Sequence, residues 1–202
     1  MNIVFDLDGT LIDSKLRLYK LFQYLAPSST FTYEQYWFLK QNKISNEHLL
    51  STYLGYDKES IECFISKWMS LIESSDYLQL DTNFEGMHNY LEALTDIADL
   101  FVCTARQLRQ PVIDQLASFR LLPYFKKVMV TEQRDSKKNL IVSHISNLSS
   151  KDWMVGDTGK DIQVGKSLNM KTCAVLSGFL NFESLKTYEP NLIVDSVFEF
   201  NV

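Results

Sequence analysis

Short apolar runs alternate with helical patterns along most of the chain. Each apolar run has the length of a buried strand, and the stretches that accompany the later runs have the patterning of helices. The predicted strands are NIVF (2–5), DLFVCT (99–104), KVMV (127–130), DWMVGD (152–157), KTCAVL (171–176) and NLIVD (191–195), and the predicted helices are MHNYLEALTDIA (87–98), PVIDQLASF (111–119), KKNLIVSHISNL (137–148) and KDIQVGKSLN (160–169). This alternation predicts an α/β protein with a Rossmann-like parallel sheet and helices on both faces.

The region between the first two predicted strands is far longer than one crossover. A whole βαβ unit takes about 30 residues, whereas these strands end near residues 5 and 103. The intervening sequence is helical in pattern, most clearly over residues 58–73, where an apolar stripe is expected to serve packing. We therefore predict a core domain of residues 1–14 and 81–202, with an α-helical cap domain of residues 15–80 inserted after the first strand.

The composition is that of an ordinary globular protein, and it excludes several classes. Of the 202 residues, 46% are hydrophobic and 22% are charged, both usual values. The net charge of −5, without a basic stripe, argues against nucleic-acid binding. No apolar run approaches the roughly 20 residues that span a bilayer, and the N-terminus lacks a signal-peptide pattern. We expect a cytoplasmic protein without membrane contact.

The three cysteines, Cys63, Cys103 and Cys173, are widely separated and lie in apolar surroundings. The chain has no CxxC pair, which excludes a zinc ribbon or a redox motif of that kind. We expect all three to be buried, reduced thiols.

Polar residues stand where the predicted strands end. Asp6 and Asp8 follow the first strand, Thr104 ends the second, and Asp157 and Asp161 follow DWMVG. Because ligands bind at the carboxyl ends of the strands in an open parallel sheet, we expect these side chains to converge. Converging carboxylates repel one another unless a cation compensates. Oxygen ligands favour a hard ion, and Mg²⁺ is the expected one.

A lysine pair heads the helix that follows KVMV. Lys137 places Leu140 and Ile141 three and four positions on, which is the spacing of the helix's core face, whereas Lys138 is one step out of phase. Because adjacent helical residues cannot both face the crevice, we choose Lys137 as the cation of the site.

Two of these features also have plainer interpretations. TARQ (104–107) fits a capping box, in which Thr104 would only cap the next helix. Pro111 indicates that this helix begins later, which leaves Thr104 free for function. DLDG could begin a calcium loop, but such a loop needs Gly at its sixth position, where this chain has Leu11.

FDLDGTLIDS (5–14), Thr104, the lysine pair and GDTGKD (156–161), in that order, resemble the motifs of the haloacid dehalogenase (HAD) superfamily. Their spacing is similar to that of its phosphoglycolate phosphatase-like branch, which has a small helical cap inserted after the first motif. The resemblance covers nearly the whole chain, because FEGMHNYLEAL (84–94) and FRLLPYFKKVMV (119–130) also look like family sequence.

The resemblance implies a chemical role for each motif residue. Asp6 would be the nucleophile that forms an aspartyl-phosphate, and Asp8 would be the general acid for the leaving alcohol and then the base for water. Thr104, Ala105 and Lys137 would hold the phosphoryl group.

The resemblance also implies the metal site. Asp6, the backbone carbonyl of Asp8 and Asp157 would bind Mg²⁺, and Asp161 would orient those ligands. Two departures from the family pattern lie outside these residues. No proline follows the lysine, and Asn169 stands where glycine is common, although Asn tolerates the left-handed conformation.

These roles imply a Mg²⁺-dependent phosphatase that acts on a small phosphorylated metabolite, of the phosphoglycolate or sugar-phosphate kind. Asp8 argues against a dehalogenase, since that branch lacks the second aspartate, and against the phosphate-transferring ATPases, which carry Thr there. A sugar-phosphate mutase uses the same residues and stays open as an alternative. A catalytically silent binding protein is a third, which the complete set of motif residues disfavours.

Other cations are expected to be peripheral. Arg106 and Arg109, which follow Thr104, could reach a substrate anion, but we interpret them as solvated surface charges. The oligomeric state stays open between monomer and homodimer, because an aromatic-rich cap could support a dimer. The cap candidates for substrate recognition are Lys15, Arg17, Lys40 and Lys43.

Overall fold

The computed structural model describes residues 1–201 and is built around a six-stranded parallel sheet. The strands of the chain are β1 (Asn2–Phe5), β2 (Ile12–Asp13), β3 (Thr82–Asn83), β4 (Asp99–Thr104), β5 (Lys127–Val130), β6 (Trp153–Gly156), β7 (Lys171–Val175) and β8 (Leu192–Val194). The sheet has the order β5-β4-β1-β6-β7-β8. β1 is central, and its Phe5 is in register with Val102 of β4 and Val155 of β6.

Helices cover the sheet and form the long connection between β2 and β3. They are α1 (Lys15–Leu25), α2 (Tyr33–Gln41), α3 (Asn46–His48), α4 (Lys58–Leu71), α5 (Ser75–Leu78), α6 (Met87–Thr95), α7 (Arg109–Ser118), α8 (Lys137–His144), α9 (Gly159–Ser167) and α10 (Phe182–Lys186). A π-helical turn, Leu49–Tyr53, continues α3.

The two faces of the sheet have separate hydrophobic cores. Ile3 and Phe5 of β1 point into a large cluster that includes α6 and α7. Val4, between them, points into a second cluster with Ile141 of α8 and with α9. This alternation is what a pleated strand with helices on both sides requires. The predicted Rossmann-like α/β fold is confirmed.

The helices from α1 to α4 share a hydrophobic cluster that is separate from those on the sheet. Phe22 of α1, Tyr36 of α2 and Phe64 of α4 are its buried centre, and Phe22 packs against both of the others with ring centroids 4.8 and 5.9 Å away. Aromatic residues that bury large areas together can sustain a small separate core. We therefore propose that residues 15–80 form a cap domain on the sheet-containing core, with the boundaries predicted from the sequence.

A short antiparallel pair joins the two ends of this insertion. Ile12 pairs with Asn83 and Asp13 with Thr82, so that the chain leaves the core on β2 and returns beside it on β3. Two-residue strands carry too little periodicity to be recognised in a sequence, and the apolar pattern predicts no strand here.

The structure agrees with some local predictions from the sequence and differs from others. Cys103 and Cys173 are buried, but Cys63 is exposed on the outer side of α4, so the expectation of three buried thiols is wrong at that position. The helix predicted over residues 137–148 ends at His144. Asn169 adopts the left-handed conformation, with φ of 56°, as expected for a residue at a helix C-terminus.

No helix among residues 1–201 is long and apolar enough to cross a membrane.

Candidate active site

The candidate site lies at the carboxyl end of β1, where the strand order changes direction. The chain builds β4 and β5 on one side of β1, and then crosses to build β6, β7 and β8 on the other. Such a switch point leaves a crevice outside the strand ends, because the adjacent connections lie on opposite faces of the sheet. Asp6, which follows β1, and Thr104, which ends β4, line this crevice, and Asp157, which follows β6, is buried beside Asp6.

Lys137 joins two of the predicted carboxylates. Its Nζ donates to Asp6 Oδ1 at 2.7 Å and to Asp161 Oδ1 at 2.6 Å. Ser136 caps α8 and directs Lys137 inward from the first turn. Lys138, its neighbour, is exposed. The geometry matches the choice of Lys137 made from the phase of the helix.

Asp157 is fully buried beside them. Its Oδ2 accepts the backbone N–H of Phe179 at 2.7 Å, while its Oδ1 has no hydrogen-bond partner among the described residues. The backbone at Gly9, with φ of 79°, passes so close that a Cβ there would lie 2.5 Å from Asp157 Oδ2. Glycine is therefore required at this position both by its conformation and by the space.

Asp161 is held by its own helix terminus. Its Oδ2 accepts the Thr158 backbone N–H at 3.1 Å and the Thr158 hydroxyl at 2.6 Å. With Lys137 on Oδ1, both oxygens of Asp161 have donors. This carboxylate is thus suited to orienting Lys137 and its neighbours rather than to offering a free lone pair.

The electrostatics of this group favour a bound cation. Burial raises the pKa of Asp6 to about 6, and Lys137 offsets only part of that effect. Burial and the neighbouring Asp6 and Asp161 raise the pKa of Asp157 well above its usual value. Burial by itself would lower the pKa of Lys137, but Asp161 and Asp6 raise it above its usual value. One ammonium is left to balance three carboxylates, which is unfavourable without a further positive charge.

The residues present fit a hard divalent cation. Carboxylate oxygens of Asp6, Asp157 and Asp161 lie within 4.8 Å of one another, and Asp157 Oδ1 is a buried acceptor without a donor. An all-oxygen set of this kind suits Mg²⁺, which binds through one or two carboxylates and keeps positions for waters and phosphate oxygens.

Asp8 has a quite different environment. Arg106 binds its carboxylate with a fork of two hydrogen bonds, from Nε to Oδ2 and from Nη2 to Oδ1, each 2.7 Å long. Arg17 donates to Oδ1 from the other side. Burial opposes ionisation, but the guanidinium groups of Arg106 and Arg17 hold the pKa of Asp8 well below its usual range.

The expectation that Arg106 is a solvated surface charge is wrong. Its side chain is only 3% exposed, and Arg106 Nη2 also contacts Asp81 Oδ2 at 3.1 Å. Gln115 of α7 lies between Arg106 and Asp81, and it donates to Asp81 at 2.8 Å. Arg109, in contrast, is exposed as expected.

Arg17 and Asp81 complete a buried cluster at the ends of the insertion. Arg17 Nε lies 3.0 Å from Asp81 Oδ1, and Arg17 Nη1 donates to the Ile72 carbonyl at 3.1 Å. Two guanidinium groups thus balance two carboxylates, from positions 8, 17, 81 and 106. Sequence reasoning missed Asp81, because nothing in its local pattern shows that it returns beside Asp8.

The loop after β4 presents Thr104 and Ala105 to the crevice. The backbone carbonyl of Thr104 accepts the Thr131 N–H at 3.0 Å, which extends the β4–β5 pairing to the strand end. α7 begins at Arg109 with Leu108 as its N-cap, so Thr104 does not cap that helix. The alternative interpretation of TARQ is thereby excluded.

A cleft of about 1140 Å³ opens over these side chains. Its floor contains Asp6, Asp8, Thr104, Ala105 and Lys137. Its lining includes Arg17, but not the other cap cations proposed for recognition, Lys15, Lys40 and Lys43. The apolar stripe of α4 is divided. Phe64 packs inside the insertion, while Trp68, Met69 and Ile72 line this cleft.

Comparison with known proteins agrees with the fold and the motifs. The family model described as haloacid dehalogenase-like hydrolase matches residues 3–175. Curated relatives include the pyrophosphatase PpaX of Bacillus velezensis, 24% identical over 206 residues that cover 96% of this chain and 92% of the relative. The pyrophosphatase PpaX of Anoxybacillus flavithermus is 24% identical over 210 residues, with 97% and 93% covered.

Solved structures share the architecture. A haloacid dehalogenase-like family hydrolase from Streptococcus pneumoniae aligns with a TM-score of 0.79 and 19% identity, over 98% of this chain and 95% of that one. A predicted phosphoglycolate phosphatase from Haemophilus somnus aligns with a TM-score of 0.74 and 16% identity, over 97% and 94%. Since the family match spans most of the chain, this protein belongs to the haloacid dehalogenase-like hydrolase family.

Proposed function

We propose that this hydrolase is a Mg²⁺-dependent phosphatase that releases phosphate from a small phosphorylated metabolite through an aspartyl-phosphate intermediate. The observation that carries the proposal is the buried group of Asp6, Asp157 and Asp161 around Lys137. An excess of carboxylates over cations, in a crevice at the strand ends, is complementary to a divalent metal together with a phosphoryl group.

Asp6 is the proposed nucleophile. One of its oxygens attacks phosphorus while the bond from phosphorus to the leaving oxygen breaks, and water later cleaves the acyl phosphate. This division replaces one difficult displacement by two easier ones. Its position at the end of β1, fixed by Lys137, supports this role because the attacking oxygen must be held in line with the leaving group.

Asp8 is the proposed general acid and base. It would protonate the leaving oxygen in the first step and accept a proton from the attacking water in the second. A positioned group of this kind is worth about 10²- to 10⁴-fold in rate. Its place two residues beyond Asp6, in the same cleft, supports the assignment.

Thr104, Ala105 and Lys137 are proposed to hold the phosphoryl oxygens. The Thr104 hydroxyl and the Ala105 backbone N–H are donors in the loop that lines the cleft. Lys137 supplies a positive charge, and a network of preorganised donors and charge is what phosphoryl transfer requires of a protein.

Asp6, the backbone carbonyl of Asp8 and Asp157 are proposed to bind Mg²⁺, with Asp161 orienting the group. The free acceptor at Asp157 Oδ1 supports this assignment. When bound, the ion would neutralise charge on the carboxylates and on the phosphoryl oxygens. The names of the relatives, pyrophosphatases among them, support phosphate-releasing chemistry.

A panel of phosphorylated compounds tests the proposal. We expect phosphate release from at least one of phosphoglycolate, hexose phosphates, nucleoside monophosphates and pyrophosphate, with loss of activity in EDTA and recovery in Mg²⁺. Return of the phosphoryl group to substrate, without net phosphate release, would indicate a mutase instead. Activity indifferent to chelation would exclude the metal role.

A further inference from the structure

The carboxyl-terminal end of α4 forms an apolar wall on the cap side of the cleft. Trp68, Met69 and Ile72 line the cleft, and Met69 is 37% exposed. The sequence pattern had assigned the whole stripe to packing. Exposed apolar side chains inside a binding cleft are typical of surfaces that contact a ligand.

This wall is fixed directly to the phosphate-holding loop. The Met69 carbonyl accepts from Gln107 Nε2 at 2.9 Å. The carboxylate of Glu73, just beyond α4, accepts the backbone N–H groups of Gln107 and Leu108 at 2.7 and 3.1 Å. Since Gln107 follows Thr104 by three residues, the wall lies beside the loop proposed to hold the phosphoryl group.

The same apolar surface continues toward the carboxylates. Phe179 lines the cleft, and its backbone N–H binds Asp157. Leu18 of α1 lies next to Arg17 and also lines the cleft. Trp68 is held by a stack on Phe64, with centroids 5.6 Å apart and planes inclined by 25°. A preorganised aromatic surface binds an apolar group without ordering itself first.

The charges nearby disfavour a second anionic group at this place. Arg17, which donates to the Ile72 carbonyl, and Arg106 line the cleft, and both are already paired with Asp8 and Asp81. Glu73 adds an unpaired negative charge beside them, since its partners are neutral N–H groups. Arg134 and Lys160 are exposed cations that line the cleft, but they lie on its core side, near α8 and α9.

We infer that the preferred substrate is a phosphomonoester whose leaving alcohol carries an uncharged apolar or aromatic body, which packs against Trp68, Met69 and Ile72. The inference rests on the proposed phosphatase function and narrows its substrate class. It separates this protein from an enzyme for pyrophosphate, the substrate in the names of its curated relatives, because pyrophosphate has nothing to fill an apolar wall.

The test uses esters that differ only in the leaving group's body. Ethyl, butyl and benzyl phosphate have leaving alcohols of similar chemistry, and phosphoglycolate and pyrophosphate add a second anionic group. We expect kcat/KM for phosphate release to rise along the ester series by roughly tenfold or more, within the range of pocket contacts of this size. We also expect benzyl phosphate to exceed both doubly anionic compounds.

Variants of α4 locate the effect. Trp68→Ala should remove roughly tenfold of the benzyl preference, while Trp68→Phe should keep most of it and shows that the fold is retained. Ile65→Ala is the matched control, since Ile65 is an apolar residue of the same helix, 38% exposed, that does not line the cleft. It should leave the series unchanged.

Each outcome has a definite meaning. A flat ester series, a preference for pyrophosphate, or an unchanged series in Trp68→Ala overturns the inference and leaves the phosphatase proposal standing. The absence of phosphate release from every compound in the presence of Mg²⁺ overturns the proposed function itself. Calorimetric binding of benzyl and ethyl phosphate to Asp6→Asn separates the two cases, because binding does not require turnover.

Discussion

Asp6 and Asp8 lie two residues apart, yet their surroundings are electrostatic opposites. Around Asp6, three buried carboxylates lie close together, and Lys137 pairs with two of them, Asp6 and Asp161. Burial then raises the pKa of Asp6 to about 6. Around Asp8, two carboxylates meet two guanidinium groups, and Arg106 and Arg17 outweigh burial and hold the pKa of Asp8 well below its usual range.

The difference shows what each group is built to do. The group around Asp6 has fewer positive than negative charges. Binding of a cation would therefore stabilise its ionised carboxylates. The Asp8 group is already balanced, and it ties the base of the cap to the core through Arg17 and Arg106. Because these arginines favour the ionised form of Asp8, the acid role proposed for it requires that the pairing loosen when substrate binds.

The largest effect is expected on activity, from a change in the group around Asp6, where carboxylates outnumber cations. Asp6→Asn should lower phosphatase kcat by at least about 10⁴-fold, since a neutral amide cannot serve as the nucleophile proposed for Asp6, while the size of the side chain is kept. Phosphate release from the best substrate of the panel measures it, and circular dichroism checks the fold. Asp99→Asn, at a half-exposed carboxylate of β4 far along the strand, is the control and should keep normal activity. Substantial turnover by Asp6→Asn would refute the nucleophile assignment.

A change in the group around Asp8, where charges are balanced, should instead lower the free energy of unfolding. Arg106→Ala leaves Asp8 and Asp81 with Arg17 alone, and removing one partner of a buried ion pair costs about 3–5 kcal/mol. Urea unfolding measures this cost. The reference variant is Arg109→Ala, which removes a nearby exposed arginine. Equal unfolding free energies for the two variants would mean that the cluster is not stabilising.

Comparison of the wild type with Asp6→Asn should isolate the contribution of Asp6 to the pH dependence of stability. In the metal-free protein the pKa of Asp6 is raised from 3.8 to about 6. Between these values the folded state holds more protons than the unfolded state, so the contribution of Asp6 to stability falls as pH rises. The Asp6→Asn variant does not lose stability in this way, because its side chain at position 6 does not titrate. Its stability relative to the wild type should therefore increase from pH 4 to pH 7 by roughly 2–3 kcal/mol.

Unfolding in EDTA at several pH values measures that increase. A difference that stays constant between pH 4 and pH 7 would contradict the raised pKa of Asp6.

The smallest effect is expected from metal binding itself. Mg²⁺ at tenfold its dissociation constant should stabilise the folded protein by about 1.4 kcal/mol, because it binds only the folded state. Asp157→Asn should abolish most of that response, since it removes one negative charge from the site and replaces one carboxylate oxygen by an amide nitrogen. Thermal unfolding with and without Mg²⁺ measures both, and an undiminished response in Asp157→Asn would exclude Asp157 as a ligand.

Much of the architecture was predictable because it is local. The strand NIVF was predicted with the bounds that β1 has, and Pro111 correctly indicated that α7 begins after Thr104. The phase of α8 pointed to Lys137 as the residue that faces the crevice. In contrast, β2 and β3 were missed, since two-residue strands form only where distant segments meet.

The role of Arg106 was misjudged for the same reason. A charged residue in a loop is exposed unless a partner reaches it, and its partners Asp8 and Asp81 are 98 and 25 residues away along the chain. The stripe of α4 shows a further limit, because helical periodicity defines an apolar face but not whether a core or a cleft lies against it.

The sequence by itself determined the order of strands and helices, the family, and the residue types that can perform the chemistry. These depend on periodicity and on short motifs, which a linear chain displays directly. Only the tertiary structure decided which charges neutralise one another and which apolar residues remain open to a ligand. Both depend on groups far apart in sequence, and burial strengthens each such contact or makes its absence costly.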